Sequence, residues 1–343
     1  MEATEKMSYT LGIDLAEATF DAAVAPEGCD PSQWRSLAHT HVEHPPDSKE
    51  GVGVLVAWLH EQCPGQQCVR VIVESTGRLS QRFARTLRDE GELPEVCIIN
   101  PLRSKAYGKA LGVKDKTDRN DSAILAVYGS VHRLEPVLNG SEAEEKLREL
   151  TRMRKSYVQE VGNWENRLRQ TDDEATRRCV QQTIRHLKKQ IEELDKAIEA
   201  KVSCDATLDF QVRSLKKIRC IKQVVATTLT AELGDLRRYS RSQLVGRVGL
   251  FGRKFESGTS VKRRPRLAKG GCVAARTALY MAATSVWSSK GELRKYAHRL
   301  EERGMERMAI NMALMRKLLL ICRAVMMNDG NYNESLILEG ANS

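Results

Sequence analysis

The nine cysteines of this 343-residue chain include no Cys-x-x-Cys pair and stand at irregular spacings: 29, 63, 68, 97, 179, 204, 220, 272 and 322. An odd, scattered set argues against a closed disulfide framework and fits reduced thiols. No apolar run approaches the ~20 residues needed to cross a bilayer. The opening stretch, MEATEKMSYT, lacks the pattern of a signal peptide. These absences predict a soluble cytoplasmic protein with no membrane partner. What the chain has in excess is positive charge: 55 Lys plus Arg against 45 Asp plus Glu, a net +10. That balance favours a polyanionic partner, with nucleic acid the first candidate. The length suffices for two or three domains.

The first 140 residues alternate strand and helix signals. Residues 9–25 read as a hairpin opening a sheet, with Asp14 after the apolar Leu11 and Ile13. A third strand fits 37–42, and helical apolar spacing runs through Val52, Leu55, Val56 and Leu59. Val69 to Val73 is an apolar strand ending in Glu74, 79–87 reads as a helix, and 96–99 as another buried strand stopped by Asn100-Pro101. A short helix, then a longer one reaching about His132, complete the order β-β-β-α-β-α-β-α. This is the order of an α/β ribonuclease-H-like fold.

Within that order the carboxylates become informative. Asp115, Asp118 and Asp121 recur at steps of three just before the apolar run Ile124 to Val127. On a helix, Asp118 and Asp121 then share one face, about 5–6 Å apart at Cβ. An acidic first turn favoured by the helix dipole is the purely structural alternative. The fold places Asp14 and Glu74 side by side on neighbouring strands and lays Asp118 and Asp121 across that edge. Four converging carboxylates repel unless they share cations, and an oxygen-only set suits magnesium. A metal pair about 3.5–4 Å apart can activate one oxygen and stabilise another on a phosphodiester. Asp115 and Asp21 carry weaker claims: Asp115 precedes the helix, and Asp21 falls on the second strand's exposed side.

Charge density rises after the Asn139-Gly140-Ser141 turn. Leu147, Leu150, Met153, Tyr157, Val161, Trp164 and Leu168 repeat at three and four, as do Ile184, Leu187, Ile191, Leu194 and Ile198. These seams predict two long helices over 141–205, a hairpin or a coiled coil whose job is association with another copy. Thr171 to Glu174 fits a capping box for the second helix. Further on, 215–233 carries an apolar pattern that includes a helix from Val224 to Leu233, and 243–250 reads as another helix. The stretch 251–271 is glycine-rich and strongly basic, with Lys262, Arg263, Arg264, Arg266 and Lys269 able to neutralise phosphates. Its serines fit a nucleophile aimed at phosphate, but residue chemistry alone favours a flexible basic loop that they merely solvate. Helices over 276–287 and 301–326 close a mainly α-helical C-terminal region.

The motifs Gly12-Ile13-Asp14, Val73 to Gly77, Lys116 to Ala123, Ala231 to Asp235 and Glu256-Ser257-Gly258 fall in the order of one family. The chain resembles, over nearly its whole length, the transposases of the insertion-sequence-110 type, relatives of the Piv invertases. The resemblance implies a RuvC-like domain over 1–140, a coiled coil over 141–205 and a transposase domain over 206–343. It implies a DEDD set of Asp14, Glu74, Asp118 and Asp121 that binds magnesium. It implies a nucleophilic serine at Ser257, with Ser260 as the fallback, which joins DNA covalently. The partners implied are donor and target DNA, a structured non-coding bridge RNA and further copies of the chain, a dimer or tetramer. In the composite site it implies, the carboxylates and the serine come from different subunits. Two features depart from the pattern. Arg219 to Gln223 replaces a Gly-rich turn able to contact phosphate, and Asn120 replaces a more usual aliphatic residue. A metal-dependent junction endonuclease, in which Ser257 is incidental, and a non-catalytic nucleic-acid assembly protein are the alternative readings.

Overall fold

The computed structural model describes residues 9–63, 69–91, 93, 95–134, 141–257, 261–267 and 270–333, without the side chains of 253–257 and 261–267. The chain divides at Asn139 and Gly140 into two compact units.

The first unit is built on a five-stranded mixed sheet. Its strands are β1 (Tyr9–Leu15), β2 (Phe20–Pro26), β3 (Ala38–Val42), β4 (Val69–Glu74) and β5 (Val96–Ile99), in the order β3-β2-β1-β4-β5. β1, β2 and β3 pair antiparallel, while β4 lies parallel to both β1 and β5. Alternate residues of each strand point to opposite faces. Leu11, Ile13, Phe20 and Val24 face α1 (Lys49–Gln62) and α2 (Arg78–Gly91), packing with Val52, Leu55, Phe83 and Leu87. Ala23 and Ala25 face α4 (Asp118–Val131), where Ala123, Ala126 and Val127 meet them. α3 (Pro101–Ala110) runs between β5 and α4 in sequence, and its Gly108 approaches Ile124.

α4 lies unusually close to the sheet. A Cβ on Gly12 would sit 2.1 Å from the Ala126 amide nitrogen, and one on Gly129 would sit 2.4 Å from Ile72 Cγ1. Two glycines, one on the strand and one on the helix, thus remove the side chains that would hold the backbones apart. The stretch from Ser122 to Ser130 is buried as a result. Thr117 caps α4, its hydroxyl accepting from the Asn120 amide at 3.2 Å.

The second unit begins with a helical hairpin, α5 (Glu142–Arg169) and α6 (Glu174–Ser203). The two predicted seams pack within the chain: Val161, Trp164 and Leu168 meet Val180, Ile184, Leu187 and Ile191. Arg154 adds a two-pronged bond to Asp195, at 2.5 and 3.2 Å. Ser141 and Glu144 form a capping box on α5. The box predicted at Thr171 does not form, because that hydroxyl donates back to the Arg167 carbonyl at 2.8 Å and finishes α5. Asp173 caps α6 instead.

Helices α7 (Ala206–Lys216), α8 (Gln223–Leu233), α9 (Arg241–Val248), α10 (Val273–Val286), α11 (Glu292–Glu302) and α12 (Arg307–Met327) complete this unit around one apolar core. The apolar 215–233 pattern comprises the end of α7, a turn and α8, the last being the helix expected from Val224 to Leu233. Two expectations need correction. The 301–326 run breaks at Gly304, whose φ of +76° suits glycine, so α11 ends before α12 begins. The basic stretch is no irregular loop but an antiparallel pair, β6 (Gly252–Ser257) and β7 (Val261–Leu267).

Candidate active site

Asp14, Glu74, Asp118 and Asp121 line one cleft of about 750 Å³ in the first unit. The close approach of α4 explains why. β1 delivers Asp14 two residues beyond Gly12, parallel pairing brings Glu74 to the next strand end, and the first turn of α4 overhangs both. Burial, then the carboxylates of Asp121, Asp118 and Glu74, push Asp14 up to about 7, with Lys116 opposing. Asp121 is also raised, first by burial; Glu74 and Asp118 add to this, while Lys116 and Lys105 oppose it. The site therefore concentrates negative charge that its own cations only partly offset.

Glu74 is anchored by Ser104 of α3, whose hydroxyl donates to Glu74 Oε1. The Asn120 side-chain amide donates to the Asp115 carbonyl at 3.1 Å and braces the turn that leads into α4. The residue that departs from the family pattern thus has a local task. Asp115 itself is exposed at the rim of the cleft. Among the described residues, no three His, Cys, Asp or Glu side chains close into a ready-made cage for a metal. The donor set still fits a hard cation, because magnesium takes one or two protein carboxylates and fills its shell with waters and phosphate oxygens.

Asp21 needs a further correction. It is buried, not exposed, because it pairs in register with Asp14 and so shares the α4 face of the sheet. Its two oxygens meet His39 Nε2 at 2.7 Å and His41 Nδ1 at 2.8 Å. Sequence reading missed Ser104 and both histidines. Only the β2–β3 register, which sets His41 opposite Asp21, could have signalled the second.

In the second unit, Ser257 is the last residue of β6 and pairs with Val261. Lys262, Arg263, Arg264 and Arg266 lie on β7; Ser260 and Lys269 fall outside the described residues. The Ala231 to Asp235 motif is a brace. Buried Glu232 takes two bonds from Arg152, at 2.7 and 2.8 Å. Burial works against its charge, yet the Arg152 contacts hold its carboxyl below the ordinary range. Asp235 caps the 3-10 turn that follows. Arg276 donates to the Gly270 carbonyl at 2.8 Å.

A DEDD transposase family model of the IS110 group matches residues 11–176, and one described as transposase IS116/IS110/IS902 family matches residues 212–298. The chain carries both transposase domains of the IS110 family. Pilin gene-inverting proteins of Moraxella lacunata and Moraxella bovis are each 28% identical to it, over 96% of this chain and 99% of theirs. A solved structure of T. thermophilus RuvC in complex with a Holliday junction substrate aligns with 38% of this chain and 99% of that one, at 17% identity and a TM-score of 0.25. That score adds nothing to the sheet order, which is itself RuvC-like. The IS110-family domains make this a transposase-type recombination protein with a RuvC-like first unit. No helix among the described residues is long and apolar enough to cross a membrane.

Proposed function

We propose that the protein is an RNA-guided DNA recombinase that moves an insertion sequence through a covalent serine–DNA intermediate. The observation that carries the reading is the single cleft shared by Asp14, Glu74, Asp118 and Asp121, with Asp14 pushed up to about 7. Such unbalanced charge suits a site completed by cations and by a phosphodiester. Magnesium held by these four carboxylates would supply Lewis-acid stabilisation of charge developing on phosphate oxygens. The chain's own residues then have distinct tasks. Ser104 holds the Glu74 carboxylate in place. Asn120 and Thr117 fix the turn from which Asp118 and Asp121 project. Ser257 is the nucleophile: its hydroxyl oxygen attacks a backbone phosphorus, forming a serine phosphodiester and releasing the sugar hydroxyl of the other fragment. Lys262, Arg263, Arg264, Arg266 and Lys269 neutralise neighbouring phosphates.

The related pilin gene-inverting proteins support recombination as the class of reaction. Guide RNA, base-paired to donor and target, would supply sequence selection while the protein binds backbone and shape. The carboxylates of one subunit acting with the serine of another, in a dimer or tetramer, make the site composite.

The test is a denaturing gel. Protein, magnesium, element-end DNA and RNA transcribed from the element's flanking non-coding region are mixed, beside Ser257→Ala and Asp121→Ala. The expected result is a slow, protease-sensitive species lost in both variants. Cleaved DNA without an adduct, persisting in Ser257→Ala, would instead establish a hydrolytic junction endonuclease.

A further inference from the structure

A second cleft of about 550 Å³ adjoins the carboxylates, and Val113, Lys114 and Asp115 line both. Its character is opposite. Arg35, His39, Lys114 and Arg119 line it, and among the described residues none of the three long cations is held in an ion pair. Arg35 rests over the ring of buried Trp34, 4.5 Å from its centroid, which anchors the guanidinium at the rim. Arg119 sits in the first turn of α4, between Asp118 and Asn120.

The histidines add a built element. Buried Asp21 meets one nitrogen of His39 and one of His41, which leaves the other nitrogen of each ring without a partner among the described residues. Each oxygen of Asp21 faces one ring, so the carboxylate orients both imidazoles. His41 is held toward its protonated form by its bond to Asp21. Unpaired cations collected in a concave site, beside imidazoles braced from behind, are matched to a polyanion. The shared wall of residues 113–115 makes that polyanion continuous with whatever occupies the carboxylate cleft.

We infer that this cleft is a second phosphodiester subsite, gripping the backbone of a single strand beside the phosphate that sits at the carboxylates. Arg35, Lys114 and Arg119 neutralise successive phosphates, and the free imidazole nitrogen of His39 donates to their oxygens. The inference rests on the carboxylate cleft being the DNA-processing site.

The full-length protein is titrated in EDTA with labelled oligothymidylate and with oligouridylate of equal length, over a range of salt. In Arg35→Ala/Arg119→Ala the slope of log K on log salt falls by about 1.4, since each lost single-strand phosphate contact removes about 0.7. At about 0.1 M salt this corresponds to roughly 25-fold weaker binding. Equal losses on both oligonucleotides mark backbone recognition; a loss on one alone assigns the subsite to that nucleic acid. Arg35→Lys/Arg119→Lys keeps the slope. An unchanged slope in the alanine pair overturns the inference. So does an equal loss in the lysine pair, which would make the arginines structural. Magnesium-dependent strand cleavage by Asp14→Asn/Asp121→Asn separates the two readings: cleavage retained in that variant overturns the carboxylate reading, while the salt slope of the alanine pair alone decides the subsite.

Discussion

Replacing Asp14 with asparagine removes a charge that the metal-free fold holds at a cost. The carboxyl rises from 3.8 to about 7. At about 1.36 kcal/mol per pH unit, the burden is at most ~4 kcal/mol, and solvent reaching a partly buried group cuts it to ~1–2 kcal/mol. The sign follows from linkage. Because the folded value lies above the unfolded one, the contribution to stability is fully present below 3.8 and is lost as pH rises through 7. Asp14→Asn therefore unfolds at a higher temperature than wild type at about pH 8, by about 3–8 °C for a domain of this size. The gap closes towards about pH 4, where Asp14 is protonated in both states. The assay is thermal unfolding of the full chain in EDTA at several pH values, beside strand cleavage with magnesium. Millimolar magnesium raises the wild-type midpoint and narrows the gap at high pH, because the ion binds only the intact site. A variant no more stable than wild type at about pH 8, or a gap indifferent to pH, would refute the reasoning.

Arg152→Ala leaves Glu232 buried and unpaired, and destabilises the second unit by about 3–5 kcal/mol, read from denaturant midpoints. Adding Glu232→Leu to that variant recovers most of the loss, since an apolar pair needs no partner. Gly12→Ala places a methyl 2.1 Å from the Ala126 backbone and prevents α4 from seating, so soluble, folded protein falls sharply. Thr117→Ala removes the α4 cap and costs about 1 kcal/mol, measurable by thermal unfolding. Ser257→Ala gives no covalent adduct and no strand exchange, while RNA retention in a filter assay stays at the wild-type level.

Periodicity alone was enough for the elements of the first unit. Strands of alternating or continuous apolar residues and helices at three-four spacing reflect local chemistry, and these appear where the patterns lie. The step of three between Asp118 and Asp121 likewise determined that both would leave one helical turn together. The seams of α5 and α6 showed two long helices. They did not show that those helices pack on each other, because an a/d pattern is the same whether its partner is the same chain or another copy. The glycine-rich basic stretch offered no alternating apolar face, so its strand pairing was hidden; a hairpin is decided by cross-strand bonds, which composition does not encode.

Asp21 and its histidines mark the boundary most clearly. In the sequence they are an aspartate in an apolar strand and two histidines eighteen and twenty residues on. Only the β1–β2–β3 register sets Asp21 beside Asp14 and His41 opposite Asp21, and only α4, seated on Gly12 and brought close by its own Gly129, buries that row. The sequence by itself determined which carboxylates the protein has and which elements carry them. The tertiary structure decided that they share one cleft, that burial and mutual repulsion raise Asp14, and that a cationic cleft lies along the same wall. Charge repulsion and desolvation depend on distances through space, and those exist only once the sheet and α4 have closed on each other.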